Sequence, residues 1–282
     1  DTYYSKSDTI LGADDKGGMA PAIEALHSIQ EQKIPHGDLF LVLTCAEEIG
    51  LKGAFACDIA SLGCSFGYVL DTGPPVGSFV NRVGSQNKIY AKIIGKPAHA
   101  GKDPEHGINA IQAASAGIAQ MKLGRIDEHT TANVGIMQAG TATNIVPAQA
   151  VISMEARSLD MRKMQQQTQH MIDCLEKSAR QYGAQCEIQV EKMYEGYDIP
   201  ETEPVVAIAL KSAQQLGWEY PLRWTLGGSD ANAFNASGVR TIVCGTGMKE
   251  IHTHDENISK QDLVGLTQLV IEIIKQTAQV KS

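Results

Sequence analysis

Two short apolar runs that each lead into acidic residues constrain the fold most strongly. Residues 38–44 read DLFLVLT and residues 67–71 read GYVLD, and a helical spacing of apolar residues precedes the first run at 20–31. Short runs of bulky apolar residues are typical of buried parallel strands. Ligands of open α/β sheets bind beyond the carboxyl ends of the strands, so the acids after both runs predict a functional site there.

The pattern changes at about residue 86 and changes back at about residue 199. Between these positions the sequence predicts strands at 88–94, 133–138, 150–156 and 186–190, and helices at 107–123 (apolar stripe Ile108, Ile111, Ile118 and Met121) and 162–182. The order β-α-β-β-α-β indicates a two-layer α+β sandwich. We therefore predict an α/β domain in two parts, residues 1–85 and 199–282, interrupted by an insert at 86–198.

Composition excludes several classes of partner. The chain has 24 basic and 32 acidic residues and a formal charge of −8, which argues against a nucleic-acid-binding surface. Its longest apolar stretches are far shorter than the roughly 20 residues of a membrane-spanning helix. The six cysteines form no C-x-x-C pair, so we interpret them as reduced core thiols of a cytoplasmic protein.

The glycine-rich turn at 12–18 carries two adjacent carboxylates, Asp14 and Asp15. Neighbouring carboxylates repel each other, so their pairing requires a cation, which is either Lys16 or a metal ion. The flanking glycines allow the backbone to bend tightly there. The alternative is a solvated acidic turn in which an aspartate caps the following helix.

Both of the apolar runs at 38–44 and 67–71 lead into acidic residues. Glu47 and Glu48 follow the first run, and alternation along extended chain points them in different directions. One could hold a cation while the other faces substrate or water, as metal-assisted hydrolysis requires. Asp71 ends the second run directly after apolar residues, which favours a partner for its carboxylate. The alternatives are an exposed glutamate pair and a turn-initiating aspartate.

A histidine motif occurs far downstream, at residues 251–256 (IHTHDE). Neutral imidazole is the commonest nitrogen ligand of zinc, and two histidines two positions apart in extended chain share a face. His252 and His254 are therefore candidate metal ligands. A polar surface loop would explain the same residues.

The order of these motifs is more specific than any one of them. Further motifs with the same order are Pro97–Gly101, Gly140–Pro147, Glu155–Ser158 and Gly227–Asn232. Together they resemble the M20 family of dinuclear zinc peptidases, and within it the peptidase T branch of tripeptide aminopeptidases. The resemblance implies a split catalytic domain, built as a mixed sheet flanked by helices, with an inserted lid and dimerisation domain.

The resemblance also implies a set of metal ligands. Asp14 would bridge two zinc ions, Glu48 and His252 would complete the site of one ion, and Asp71 would bind the other. His252 is preferred to the second histidine of its motif because the family places the ligand four residues before a glutamate, and Glu256 has that spacing. An oxygen-rich ligand set also suits manganese or cobalt.

The same resemblance assigns the proton chemistry. Glu47 would be the general base that takes a proton from water and passes it to the leaving amine. A strained, often cis, peptide bond would join Asp14 to Asp15. The implied reaction is metal-dependent hydrolysis of short peptides that removes the N-terminal residue.

The insert would supply substrate contacts and the contact between subunits of a homodimer. His99 would reach the active site of the partner subunit and stabilise an oxyanion, although an ordinary surface histidine is the alternative. Asn144 would bind substrate, and Arg157 would bind the C-terminal carboxylate of the peptide through its planar fork. Residues 228–230 would lie in a loop near the substrate, without individual roles.

One family feature is not found. Members carry an H-x-D motif before the acidic turn, whereas this chain starts at Asp1 and has no such motif; His27 and His36 come after the turn. The expected ligand set therefore lacks one histidine, and the chain is expected to be part of a longer catalytic domain. Three interpretations stay open: an aminopeptidase, a non-catalytic dimer that binds peptides, and an acyl-amino-acid deacylase or carboxypeptidase of the same family.

Overall fold

The computed structural model describes residues 1–280. In chain order the elements are β1 (Thr2–Tyr4), α1 (Ala13–Gln32), α2 (Lys52–Ala56), β2 (Phe66–Thr72), β3 (Phe79–Val83), β4 (Ser85–Ile94), α3 (Ala110–Ile118), β5 (Gly124–Asp127), β6 (Thr130–Ala139), β7 (Gln149–Ser158), α4 (Met161–Gln181), β8 (Gln185–Tyr194), β9 (Tyr197–Asp198), α5 (Pro204–Gln215), β10 (Arg223–Thr225), α6 (Asp230–Ala236), β11 (Arg240–Gly245), β12 (Asn257–Ser259) and α7 (Lys260–Gln279). They form two compact units, one of residues 1–83 and 197 onward and one of residues 84–196.

The first unit contains a mixed sheet with the strand order β10-β3-β11-β2, and β9 pairs with the end of β3. Strands β2 and β11 are parallel, whereas β11 and β3 are antiparallel. The predicted strand at 67–71 is present as β2, which carries Asp71 near its carboxyl end. The prediction of an α/β protein with a mixed sheet flanked by helices is confirmed.

Both faces of this sheet are covered, and β11 shows why. Its side chains alternate, so Ile242 and Cys244 pack into the core that Leu266 of α7 completes, while Val243 packs with Ala231 of α6 on the other face. A strand buried on both faces is a continuous apolar run, as residues 242–244 are. The sheet therefore holds α6 on one side and α5 and α7 on the other.

The predicted strand at 38–44 is wrong for the described residues. The segment has no strand assignment, and four of its large apolar side chains are exposed: Leu39, Phe40, Leu41 and Leu43. The physical reason is that no strand within residues 1–280 pairs with it, and an apolar run becomes a buried strand only between neighbours. The adjacent Cys45 is also exposed, so the six thiols are not all in the core as predicted.

The second unit is an antiparallel sheet with the order β5-β6-β7-β4-β8. Helices α3 and α4 pack on the face that carries Ile89, Ala91 and Ile93, which are the alternating residues expected from the sequence. The short strand β5 was not predicted, so the order along the chain is β-α-β-β-β-α-β.

The predicted helix at 107–123 is longer than α3, and its apolar stripe is only partly buried. Met121 is in the core and Ile118 packs against it, whereas Ile111 is exposed. The buried residues of the helix itself are small: Ala110, Ala113, Ala114 and Gly117. A Cβ at Gly117 would lie 2.9 Å from Leu175 Cδ2 of α4, so small side chains let the two helices approach closely.

No helix among residues 1–280 combines the length and the apolar composition that crossing a bilayer requires.

Candidate metal centre

The acidic turn forms the start of α1. Gly12 has a left-handed backbone (φ 75°), and Asp14 and Asp15 have non-helical backbone angles within the first turn. The Asp14–Asp15 peptide bond is cis, as the family resemblance implied. A Cβ at Gly18 would lie 2.1 Å from the carbonyl oxygen of Leu70, so only glycine lets α1 approach the end of β2 this closely.

A tight turn positions Glu47 and Glu48. The carbonyl oxygen of Glu47 accepts hydrogen bonds from the backbone N–H groups of Gly50 and Leu51, at 2.9 and 2.8 Å. Gly53 donates to the carbonyl oxygen of Cys45 at 3.0 Å, and a Cβ at Gly53 would lie 2.3 Å from that oxygen. The start of α2 thus packs directly on the backbone that carries the two glutamates.

One side-chain contact links this segment to α6. The hydroxyl of Thr44 donates to the carboxylate of Asp230, which is buried. The other carboxylate oxygen of Asp230 has no hydrogen-bond partner among residues 1–280.

The imidazole of His252 joins the two acidic segments. Its Nε2 lies 3.1 Å from Asp14 Oδ2 and 2.9 Å from Glu48 Oε1. The three candidate ligand atoms lie within 4.8 Å of one another. His254, the other histidine of the motif, is exposed and is not part of this group.

The carboxyl groups of the acidic turn and of Glu47 have raised pKa values, because they are partly buried and because negative charges around them outweigh positive ones. Burial, and then the charge of Glu48, raise the pKa of Asp14, with His252 acting in the opposite direction. Burial and the charge of Asp14 raise the pKa of Asp15 to about 8. Burial and the charge of Glu48 raise the pKa of Glu47 to about 7. Repulsion between carboxylates of this kind is relieved by a cation.

Asp71 belongs to the same electrostatic cluster but lies outside the three-atom group. Burial, followed by the charges of Asp15 and Asp14, raises its pKa to about 9. For His252, burial opposes protonation, but the carboxylates of Glu48 and Asp14 outweigh that effect and raise the pKa. The structure therefore brings residues from four distant segments into one acidic cluster.

The donor set fits a zinc ion. Two carboxylate oxygens and one imidazole nitrogen are common zinc ligands, and ligands of a tetrahedral ion lie about 3.3–3.6 Å apart. A single ring nitrogen carries at most one hydrogen, so Nε2 of His252 cannot fully satisfy both neighbouring oxygens by hydrogen bonding. The ammonium group of Lys16 donates to the carbonyl oxygen of Gly12 at 3.1 Å, and no ion pair within residues 1–280 joins it to these carboxylates. These residues therefore fit a bound divalent cation.

The insert residues expected near substrate lie in the second unit. His99 and Asn144 are exposed on adjacent backbone segments, where Ala100 donates to the carbonyl oxygen of Asn144 at 3.0 Å. The ring Nδ1 of His99 accepts a hydrogen bond from the N–H of Gly101 at 3.1 Å. The candidate catalytic residue His99 and the candidate substrate-binding residue Asn144 thus lie on neighbouring loops.

Arg157 already has a carboxylate partner. Its Nε and one terminal nitrogen donate to the two oxygens of Glu155, at 2.9 and 3.0 Å. A further nitrogen lies 3.5 Å from the hydroxyl of Tyr194. The planar fork expected to bind a peptide carboxylate is therefore engaged with an internal carboxylate.

Sequence reasoning missed two acidic residues of this region. Asp230 was seen only as part of a loop, although its burial places a charge beside the Glu47 segment. Glu256 served only to choose between two histidines, although it contacts the acidic turn directly. Its fixed spacing from His252 was the one signal that could have indicated a structural role.

The family model for peptidase family M20/M25/M40 matches residues 10–276, nearly the whole chain. The chain belongs to this peptidase family. The resemblance seen in the motifs is thereby confirmed, and so is its closeness to the peptidase T branch.

Among named relatives, an uncharacterized protein, YqjE of Bacillus subtilis (strain 168), is 42% identical over 98% of this chain and 75% of its own length. Peptidase T of Geobacillus sp. (strain WCH70) is 29% identical over 95% of this chain. The crystal structure of a tripeptidase from Staphylococcus aureus subsp. aureus Mu50 is 42% identical, with a TM-score of 0.93 over 99% of this chain and 74% of that one. The chain spans 65% of the Geobacillus enzyme, about two thirds of its length.

Proposed function

We propose that this protein is a metal-dependent aminopeptidase that removes the N-terminal residue of short peptides, tripeptides above all. The observation that carries the proposal is the convergence of Asp14, Glu48 and His252 beside the partly buried carboxyl group of Glu47. The names of its relatives, peptidase T and tripeptidase, support the substrate class.

The site would hold two zinc ions, with manganese or cobalt as alternatives. Asp14, Glu48 and His252 would hold one ion, and Asp14 with Asp71 would contribute to the second. When bound, the pair of ions would polarise the peptide carbonyl group and lower the pKa of a water molecule towards neutrality. The carboxylates of this cluster would hold the ions in place.

Glu47 would move the proton. Its pKa of about 7, raised by burial and then by Glu48, lies near neutral pH, where a general base is most effective. It would take a proton from the attacking water and deliver it to the amine that leaves when the peptide bond breaks. Glu48 would meanwhile stay bound to the cation, which divides the two tasks between adjacent residues.

The insert would provide the remaining contacts, in a cytoplasmic homodimer formed through this unit. His99 would reach the active site of the partner subunit and stabilise the oxyanion, and Asn144 would bind the peptide. Both side chains are exposed, which this role requires. Arg157 would bind the C-terminal carboxylate only by exchanging its contacts with Glu155, so its removal should raise KM more than it lowers kcat.

The test is hydrolysis of a tripeptide of three different residues by the purified protein with added zinc or manganese, analysed by mass spectrometry. We expect release of the N-terminal residue at a rate of roughly 1–10³ s⁻¹. E47Q protein with the same metal content serves as the control.

The products separate the alternatives. Release of the C-terminal residue, or cleavage of an N-acyl amino acid in place of the tripeptide, would identify a carboxypeptidase or deacylase of the same family. Binding of the tripeptide without any turnover would identify a non-catalytic peptide-binding protein. Either result would overturn the proposed aminopeptidase activity.

A further inference from the structure

Glu256 is a charged side chain that is almost completely buried, with 1% of its surface exposed. Its Oε2 accepts a hydrogen bond from the N–H of Gly12 at 2.6 Å, and its Oε1 accepts one from the N–H of Asp14 at 2.9 Å. Hydrogen bonds to an ionised acceptor are stronger than neutral ones. One carboxylate thus holds the backbone on both sides of residue 13.

The loop that carries Glu256 also carries His252. Lys249 and Asn257 close this loop through two backbone hydrogen bonds, of 2.9 and 3.1 Å. Inside it, the hydroxyl of Thr253 donates to the carbonyl oxygen of Glu250 at 2.7 Å. Because the loop is closed at its base and braced within, the position of Glu256 restricts the position of the imidazole.

These contacts join two of the candidate metal ligands through one side chain. The backbone of Asp14 is bound to Glu256, and the imidazole of His252 is four residues away on the same closed loop. The two segments are 238 residues apart in the sequence, and their ligand atoms lie 3.1 Å apart. Nothing local in either segment fixes that distance.

We propose that Glu256 is a positioning residue that sets the separation of the Asp14 carboxylate and the His252 imidazole. The inference rests on the proposed metal-dependent function. Glu256 itself contacts backbone groups, so it acts on a bound cation only through the two ligands that it aligns. Residues that orient metal ligands commonly affect metal affinity by about 10–100-fold.

The decisive variant is E256Q, which has the same shape. An amide presents one acceptor oxygen and one donor nitrogen, so one of the two backbone N–H groups would face another donor. We expect the dissociation constant for zinc, measured by competition with a chelator on folded protein, to rise by about 10–100-fold. Activity should recover in large part at saturating zinc, because the general base is unaffected.

A control for the loss of one carboxylate charge is D160N in the second unit. One oxygen of Asp160, Oδ1, accepts hydrogen bonds from the backbone N–H groups of Arg162 at 2.8 Å and Lys163 at 3.4 Å, and the amide oxygen of asparagine can still accept both. This variant should leave zinc affinity unchanged. If E256Q does not fold, E256D keeps the charge but is one methylene shorter, and it should show a smaller loss of zinc affinity.

Three outcomes are informative. Weaker zinc binding by the folded Glu256 variant, with no change in D160N, supports the proposal. A lower melting temperature of the metal-free protein with unchanged zinc affinity would overturn it, because Glu256 would then only stabilise the fold. If the wild-type protein binds no zinc, the proposed metal-dependent function is overturned as well. Failure of that function and failure of the positioning role of Glu256 therefore give different results.

Discussion

The two units of the protein differ in the surroundings of their acidic side chains. In residues 84–196, several acidic side chains form ion pairs, as Glu155 does with Arg157 and Asp127 does with Lys163. In the other unit, Asp15, Glu47 and Asp71 are partly buried in one acidic cluster, and repulsion adds to burial in raising their pKa. Buried like charges oppose folding, so their concentration in one unit indicates a functional site there.

The two units also differ in the number of non-glycine residues with a left-handed backbone. Every non-glycine residue with positive φ among residues 1–280 lies in the first unit: Lys33, Ala46, Leu51, Glu250 and His252. Ala46 and Leu51 flank the two glutamates, and His252 is itself a candidate ligand. Such backbone conformations cost of order 1–3 kcal/mol each and persist where surrounding contacts impose them. Strain and unbalanced charge therefore occur together, around the candidate metal centre.

Among the variants that test the difference between the two units, E47Q is expected to have the largest effect. Glutamine cannot accept the proton, so kcat should fall by about 10²–10⁴-fold. The metal-free variant should also be at least as stable as wild type, since a buried carboxyl group under repulsion has been neutralised. Steady-state kinetics and thermal unfolding measure the two quantities.

The neighbouring variant E48Q provides the comparison for E47Q. It should lower metal occupancy, measured by elemental analysis of dialysed protein, because it removes a candidate ligand. Metal loss in E47Q with full occupancy in E48Q would reverse the roles assigned to the two glutamates.

A core substitution in the second unit should lower stability but leave zinc affinity unchanged. Ile152 is fully buried in the core of the second unit, so I152A should lower the free energy of unfolding by about 2–5 kcal/mol. Zinc affinity of the folded variant should stay at the wild-type value. Chemical denaturation and a zinc titration check this, and a marked loss of zinc affinity would contradict the separation of stability and function between the units.

The third prediction concerns pH. The pKa of Asp71 is raised from 3.8 to about 9 in the folded protein, so its contribution to stability is full below about pH 4 and is lost as the pH rises towards 9. Metal-free wild type should therefore lose stability relative to D71N between pH 5 and pH 8, by at most about 1.4 kcal/mol per pH unit. Denaturant titrations of both proteins in the presence of a chelator measure the difference.

Added zinc should reverse this trend in the wild type. Ligands must be deprotonated to bind a metal, so stabilisation by zinc should increase with pH. A stability difference between wild type and D71N that does not vary with pH would show that Asp71 is not held in the acidic cluster.

The smallest effect is expected for K163A. Lys163 lies 2.8 Å from Asp127, but both side chains are well exposed, at 51% and 36%. Exposed ion pairs contribute at most about 1 kcal/mol, and salt screens them. A loss of more than 2 kcal/mol in denaturation experiments would contradict the view that ion pairs in this unit mainly balance charge.

Local patterns predicted much of the fold. Alternation in residues 88–94 and the apolar run at 67–71 became β4 and β2, because strand periodicity is a property of the backbone itself. The run at 38–44 is also apolar but did not become a strand, since pairing partners are not encoded in the run. In the predicted stripe of α3, Ile111 is exposed because close contact with α4 is made by small residues.

The sequence by itself determined which residue types are available for chemistry: acids after predicted strands, a glycine-rich acidic turn and a late histidine motif. Only the tertiary structure decided that Asp14, Glu48 and His252 meet, and that Glu256 binds the backbone at Gly12 and Asp14. The physical reason is distance along the chain. Periodicity and turn chemistry act over a few residues, whereas contacts across more than 200 positions depend on how helices and strands pack.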